Sequence, residues 1–112
     1  MKAILMVIRP EWFIKILTGE KTWEIRGNNT RIRGKIELIQ SGSGLIMGCC
    51  EIVDSLEIDK KFFLNWENKH CIKSIDDIHY KKIYAWVIKN PIRYPTPKPY
   101  KHPWGAETWV NL

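Results

Sequence analysis

The chain has 112 residues, 45% of them hydrophobic, with 18 Lys and Arg against 12 Asp and Glu for a net charge of +6. That length predicts a single domain, residues 1–112, with a core of its own, and the composition excludes a disordered chain. No run approaches the ~20 apolar residues of a membrane span, and the apolar start lacks a small-residue cleavage site, so it reads as a first strand and not as a secretory leader.

In chain order, "AILMVI" (3–8) is a continuous apolar strand. Pro10 suits the first helical position, with Glu11 in the first turn. Trp12, Phe13, Ile16 and Leu17 then share one helical face. Gly19 is placed to end that helix in the left-handed conformation. "KTWEIR" (21–26) resumes as a strand, and "NNT" (28–30) is a turn.

From Arg31 the pattern alternates. Arg31, Arg33, Lys35 and Glu37 fall on one face, with Ile32, Ile36 and Leu38 on the other. "SGSG" (41–44) is a turn, and "LIMGCCEIVDSLEI" (45–58) a long strand with a bend at Gly48. Residues 59–82 read as a mostly helical insertion. "DKKFFLNWENK" is expected to bury Phe62, Phe63 and Trp66, and Ser74 to start a helical turn near 74–80. "YAWVI" (84–88) is a strand. "NPIRYPTPKPYKHPWG" (90–105) is expected to be an extended loop outside the sheet, because its prolines lack donors. "ETWVNL" (107–112) closes the chain as a strand. One helix among five or six strands, with a short helical insertion, predicts an α+β or small-barrel domain with a mixed sheet.

Cys49, Cys50 and Cys71 show no CxxC spacing, so neither a metal site nor any other cofactor is expected. Buried thiols in a reducing compartment fit a cytoplasmic protein. The positive charge predicts an anionic partner, nucleic acid first.

The densest chemistry lies in "GEKTWEIR" (19–26). On a strand, Trp23 and Ile25 feed the core while Thr22, Glu24 and Arg26 share the opposite face. Lys21 stands at the junction near the helix C-terminus, where a cation is favoured. Two readings follow. Glu24 pairs with Lys21 or Arg26 and stitches a corner, or the trio forms the floor of a site. In a site, Glu24 would accept from a base amine, Arg26 would hold a phosphate or carbonyl, and Lys21 would supply charge. As acid–base machinery, Arg26 would lower the Lys21 pKa and Glu24 raise it. Arg31, Arg33 and Lys35 form a candidate phosphate path.

Trp12, Tyr100 and Trp104 are candidate stacking faces for a base, although Trp12 also reads as a helix residue packed on the sheet. Trp66, Trp86 and Trp109 read as core. His70 and His79 are expected at the surface. His102 alone among the histidines is a candidate ligand contact or proton carrier.

"GEKTWEIR" resembles the G-x-K-x-x-E-x-R motif of the ASCH (activating signal cointegrator homology) domain, a member of the PUA-like superfamily. "IRPEW", "RGKIELIQSGS", "LIMGCCEIVD", "AWVIKNP" and "GAETWVNL" continue the likeness along almost the whole chain. The resemblance implies a PUA-like pseudo-barrel whose cleft is floored by Gly19, Lys21, Glu24 and Arg26, with Ser41, Trp104 and Gly105 at the rim. It implies single-stranded RNA or a modified nucleoside as partner. One branch of the family hydrolyses N4-acetylcytidine with a lysine, a threonine and a distant glutamate. Lys21 falls on that lysine, but Glu24 occupies the threonine position. A second branch is linked to RNA cleavage.

Overall fold

The computed structural model describes residues 4–105 and 109–111. Ala3 of the first expected strand, and Glu107, Thr108 and Leu112 of the last, lie outside the described residues. The architecture is α+β. Six strands form one mixed sheet: β1 (Ile4–Ile8), β2 (Trp23–Arg26), β3 (Gly34–Gln40), β4 (Leu45–Ile58), β5 (Ile83–Pro99) and β6 (Trp109–Asn111). Their order across the sheet is β2-β5-β4-β3-β1-β6. Among the described residues only the β1–β3 pairing is parallel, and the chain between them holds α1 (Pro10–Leu17), as a parallel connection requires a crossover.

Helix α1 begins with Pro10 and buries Phe13 and Ile16. They join Ile8, Ile36, Leu38, Ile52 and Trp86 in the main core. A second apolar cluster packs Trp23 and Ile25 of β2 against Phe63 and Ile72 of the insertion and Ile83 and Ala85 of β5. This second cluster joins the insertion to the sheet beside β2.

The bend at Gly48 is present as slips in the β4–β5 register on either side of it. A Cβ there would lie 2.3 Å from the Ile92 carbonyl oxygen, so only glycine admits that approach.

Four expectations are corrected. The proline-rich stretch is sheet: β5 continues to Pro99 and pairs with β4 as far as Leu45↔Pro99. The pairing with β2 ends at Trp23↔Val87. Beyond Ile88, whose N–H still reaches the Thr22 carbonyl, no strand pairs with that edge of β5 among the described residues, and an edge tolerates residues without donors. The basic row is not a continuous strand face, because β3 starts only at Gly34 and leaves Arg31 and Arg33 in the preceding loop.

The insertion is a 3-10 helix over Lys60–Trp66, followed by α2 (Glu67–His70). Its tighter turn carries Phe63 alone inward, leaving Phe62 and Trp66 exposed. His70, expected at the surface, is fully buried. Its ring stacks on Phe63, with centroids 4.0 Å apart. The expected turn near 74–80 is a short 3-10 helix, Ile75–Asp77, whose Asp76 N–H donates to the Ser74 hydroxyl.

Candidate functional site

The "GEKTWEIR" corner is built by the end of α1. Gly19 takes φ +84° just past the helix, the left-handed turn that suits glycine. The chain doubles back, and the Lys21 N–H donates to the Lys15 carbonyl. Thr22 then bridges two neighbours: its N–H donates to the Lys69 carbonyl, and its carbonyl accepts from Ile88. From Trp23 the alternation is as expected, with Trp23 and Ile25 in the core and Glu24 and Arg26 together on the other side.

Glu24 is the centre of a three-membered ion cluster. Its Oε2 accepts from Arg26 Nη2 at 2.9 Å, and its Oε1 lies 3.9 Å from Lys21 Nζ. The carboxylate side chain is only 6% exposed, and that of Lys21 is not exposed at all. Lys21 Nζ also donates to the His70 carbonyl and sits 4.7 Å from the centre of the Trp12 ring. Burial lowers the Lys21 pKa from its ordinary value; the Glu24 charge works against that shift and Arg26 with it. Lys21 is thus a buried cation under Trp12.

Above the pair lies a cleft of about 840 Å³. Glu24 and Arg26 line it from β2, Trp12 and Arg9 from the start of α1, and Ser41 from the turn after β3. The opposite wall is Ile72 and residues 77–80. The stitched corner is present, and two of its three charges, Glu24 and Arg26, are also part of the cleft lining. The cleft lining carries both signs of charge. Arg9 and Arg26 face Glu11, Glu24 and Asp77, and the third cation, Lys21, is buried beneath and does not line it.

Trp12 is half-buried, touching both core clusters while facing the cleft. Trp104 is fully exposed and is not among the residues that line the cleft. Tyr100 packs on Ile39, Ile46 and Val110, and its hydroxyl is 2.5 Å from His102 Nδ1. Arg33 donates to the carbonyls of Thr30 and Ile32 in its own loop and lies 3.8 Å from Asp54. Arg31 and Lys35 are exposed.

The sequence reading missed the far wall. His79 and Tyr80 reach the cleft from more than fifty residues beyond Glu24, and the only local signal is an aromatic beside two lysines in "HYKK". Among the described residues, no group of three or more His, Cys, Asp or Glu is placed to hold a metal ion. Among the same residues, no helix is long and apolar enough to cross a membrane.

Among curated proteins none matches significantly. The fold has solved counterparts. An ASCH crystal structure from Zymomonas mobilis superposes with TM-score 0.69 at 15% identity, over 82% of this chain and 70% of that one. A serine-to-alanine mutant of the Zymomonas mobilis protein gives 0.72, also at 15% identity, over 99% and 88%. At that identity the likeness speaks for the fold, the PUA-like α+β type that the motif order implied. The sequence profile of the ASCH domain matches residues 6–98. That profile runs from β1 through nearly all of β5 and takes in the whole of the Lys21–Glu24–Arg26 corner, so the chain belongs to the ASCH domain family.

Proposed function

We propose that the chain binds single-stranded RNA or a modified nucleoside, with one base held in the cleft between the start of α1 and residues 77–80. The observation that carries this reading is the Glu24–Arg26 pair. A nearly buried carboxylate and a guanidinium, joined at 2.9 Å, line a cleft beside the face of Trp12. A base edge presents amines and carbonyls, and this pair offers an acceptor and a donor side by side. Trp12 supplies the stacking face, worth ~1–3 kcal/mol per base. Lys21 holds Glu24 in place from beneath. Ser41 contacts the ligand at the rim, and the exposed Arg31 and Lys35 meet phosphate. Trp104, which does not line the cleft, takes no part.

The test is a titration of tryptophan fluorescence with cytidine, N4-acetylcytidine and a short single-stranded RNA. Glu24→Gln should change the preference among bases, because Gln presents a donor as well as an acceptor. Binding with an unchanged preference would remove Glu24 from the reading, and no binding by any probe would end it.

One observation favours a second reading, hydrolysis in the same cleft. Glu24 lines the cleft, and Lys21, with a lowered pKa, lies 3.9 Å behind it, so Glu24 would meet the substrate and Lys21 would act through it in acid–base work. Incubation with N4-acetylcytidine and with labelled RNA, followed by chromatography, decides it. Turnover that disappears in Lys21→Met identifies an enzyme; salt-sensitive binding without turnover identifies a binding module.

A further inference from the structure

Next to the cleft lies a second depression, of about 690 Å³. The two share Arg26 and Tyr80 in their walls. The two linings differ in charge. The cleft has three carboxylates, whereas the second depression has none and adds Lys81 and Lys82 to Arg26. Lys82 lies 3.7 Å from Glu57 in an exposed pair. No ion-pair partner is seen for Lys81 among the described residues.

The depression is also aromatic. Trp86 and Trp109 stack with centroids 5.2 Å apart and planes 16° apart. The Arg26 guanidinium carbon lies 5.4 Å from the Trp86 ring. Trp86 Nε1 donates to the Asn28 carbonyl at 3.0 Å, which fixes the 27–29 loop to the base of the depression. Tyr80 is the partition. A Cβ on Gly27 would fall 2.5 Å from its ring, so the absent side chain lets the ring lie against the loop while it remains 40% exposed.

We propose that this depression is a second nucleotide subsite. It takes the nucleotide adjacent to the one whose base occupies the cleft, with the linking phosphate passing Arg26 and the second phosphate near Lys81. The inference rests on the cleft reading and extends it from a nucleoside to a strand. Cations interleaved with aromatic rings, without a carboxylate, suit a phosphate and a stacked base together. The shared Arg26 makes the two depressions continuous for a chain of nucleotides.

The test compares cytidine 5′-monophosphate, a cytidine dinucleotide carrying a terminal phosphate at its 5′ or its 3′ end, and hexacytidylate on the intact chain and on a Lys81→Ser, Lys82→Ser double variant. Both lysines are exposed, so the variant keeps its fold, checked by circular dichroism. For the intact chain the dinucleotide should bind at least about fivefold more tightly than the monophosphate, the low end of one added base stack, a gain that depends on the second phosphate being held at the lysines. In the double variant that gain should fall below about twofold, with the monophosphate unaffected. The slope of log K against log salt for hexacytidylate should also flatten, by ~0.7 for each phosphate that the variant no longer neutralises. Monophosphate binding with no gain for the dinucleotide overturns the second subsite and leaves the cleft reading standing. A gain that survives in the double variant overturns it as well. If no probe binds, the cleft reading falls and the subsite with it.

Discussion

The ammonium of Lys21 donates to the carbonyl oxygen of His70, 49 residues farther along the chain. This hydrogen bond ties the β2 corner to the end of α2. It makes Lys21 part of the packing between sheet and insertion as well as a neighbour of the cleft.

Lys21→Met therefore destabilises the protein. It strands the His70 carbonyl and leaves Glu24 with Arg26 as its remaining cation in the cluster. An orphaned buried polar group costs ~1–3 kcal/mol, and urea unfolding should show a loss in that range. A loss below about 0.5 kcal/mol, the size of an ordinary surface substitution, would mean that the hydrogen bond carries no stability.

The same lysine predicts a pH dependence. Its folded pKa is below the ordinary 10.5, so between those two values the unfolded chain holds a proton that the folded chain has released. Stability then rises with pH through that window, by at most about 1.4 kcal/mol per unit for one proton. The contribution is complete above 10.5 and is lost as pH falls through the folded value. Unfolding free energies of parent and Lys21→Met, measured from pH 7 upward, should diverge in this sense. Parallel curves would refute it.

His70 acts at the other end of the scale. Its Nδ1 accepts from the Ile72 N–H at 2.9 Å, so the proton sits on Nε2 and goes to the Phe63 carbonyl at 2.8 Å. A second proton on Nδ1 would face that N–H. Burial lowers the His70 pKa below 6.5, with Lys21 adding to the shift while the Phe63 hydrogen bond and Glu67 oppose it. Stability is complete above that ordinary value and falls as pH drops through the folded one. A denaturation series from pH 7 to 4 should show the decline in the parent and a weaker one in His70→Gln. Equal declines would assign the effect to other groups.

The loop before β3 predicts unequal arginines. Arg31 is exposed, whereas Arg33 is engaged with Thr30, Ile32 and Asp54. Arg31→Ala with Lys35→Ala should reduce the salt slope for single-stranded RNA by ~1.4 in total, at ~0.7 per phosphate. Adding Arg33→Ala should change the slope little. A slope that responds to Arg33 alone would reverse the assignment.

What the sequence made legible was local. The alternation through Trp23–Arg26, the left-handed turn at Gly19 and the Ser74 cap depend on residues a few positions apart. The far wall of the cleft was hidden because Tyr80 comes to line the same cleft as Arg26 only through the tertiary fold. Phe62 and Trp66 were misread because a 3-10 turn and an α turn send different residues inward. The burial of Lys21 had no local sign, since it depends on Trp12 above it and His70 behind it.

The second half of β5 has a consequence for how copies of this chain meet. A free sheet edge invites another strand to dock by supplying alternating donors and acceptors. Beyond Ile88, Pro91, Pro95, Pro97 and Pro99 remove four donors from a stretch whose other edge is held by β4. An incoming strand would find too few N–H groups there to form a ladder. The prolines that sequence logic sets against a sheet thus let the strand be long while discouraging it from seeding aggregates.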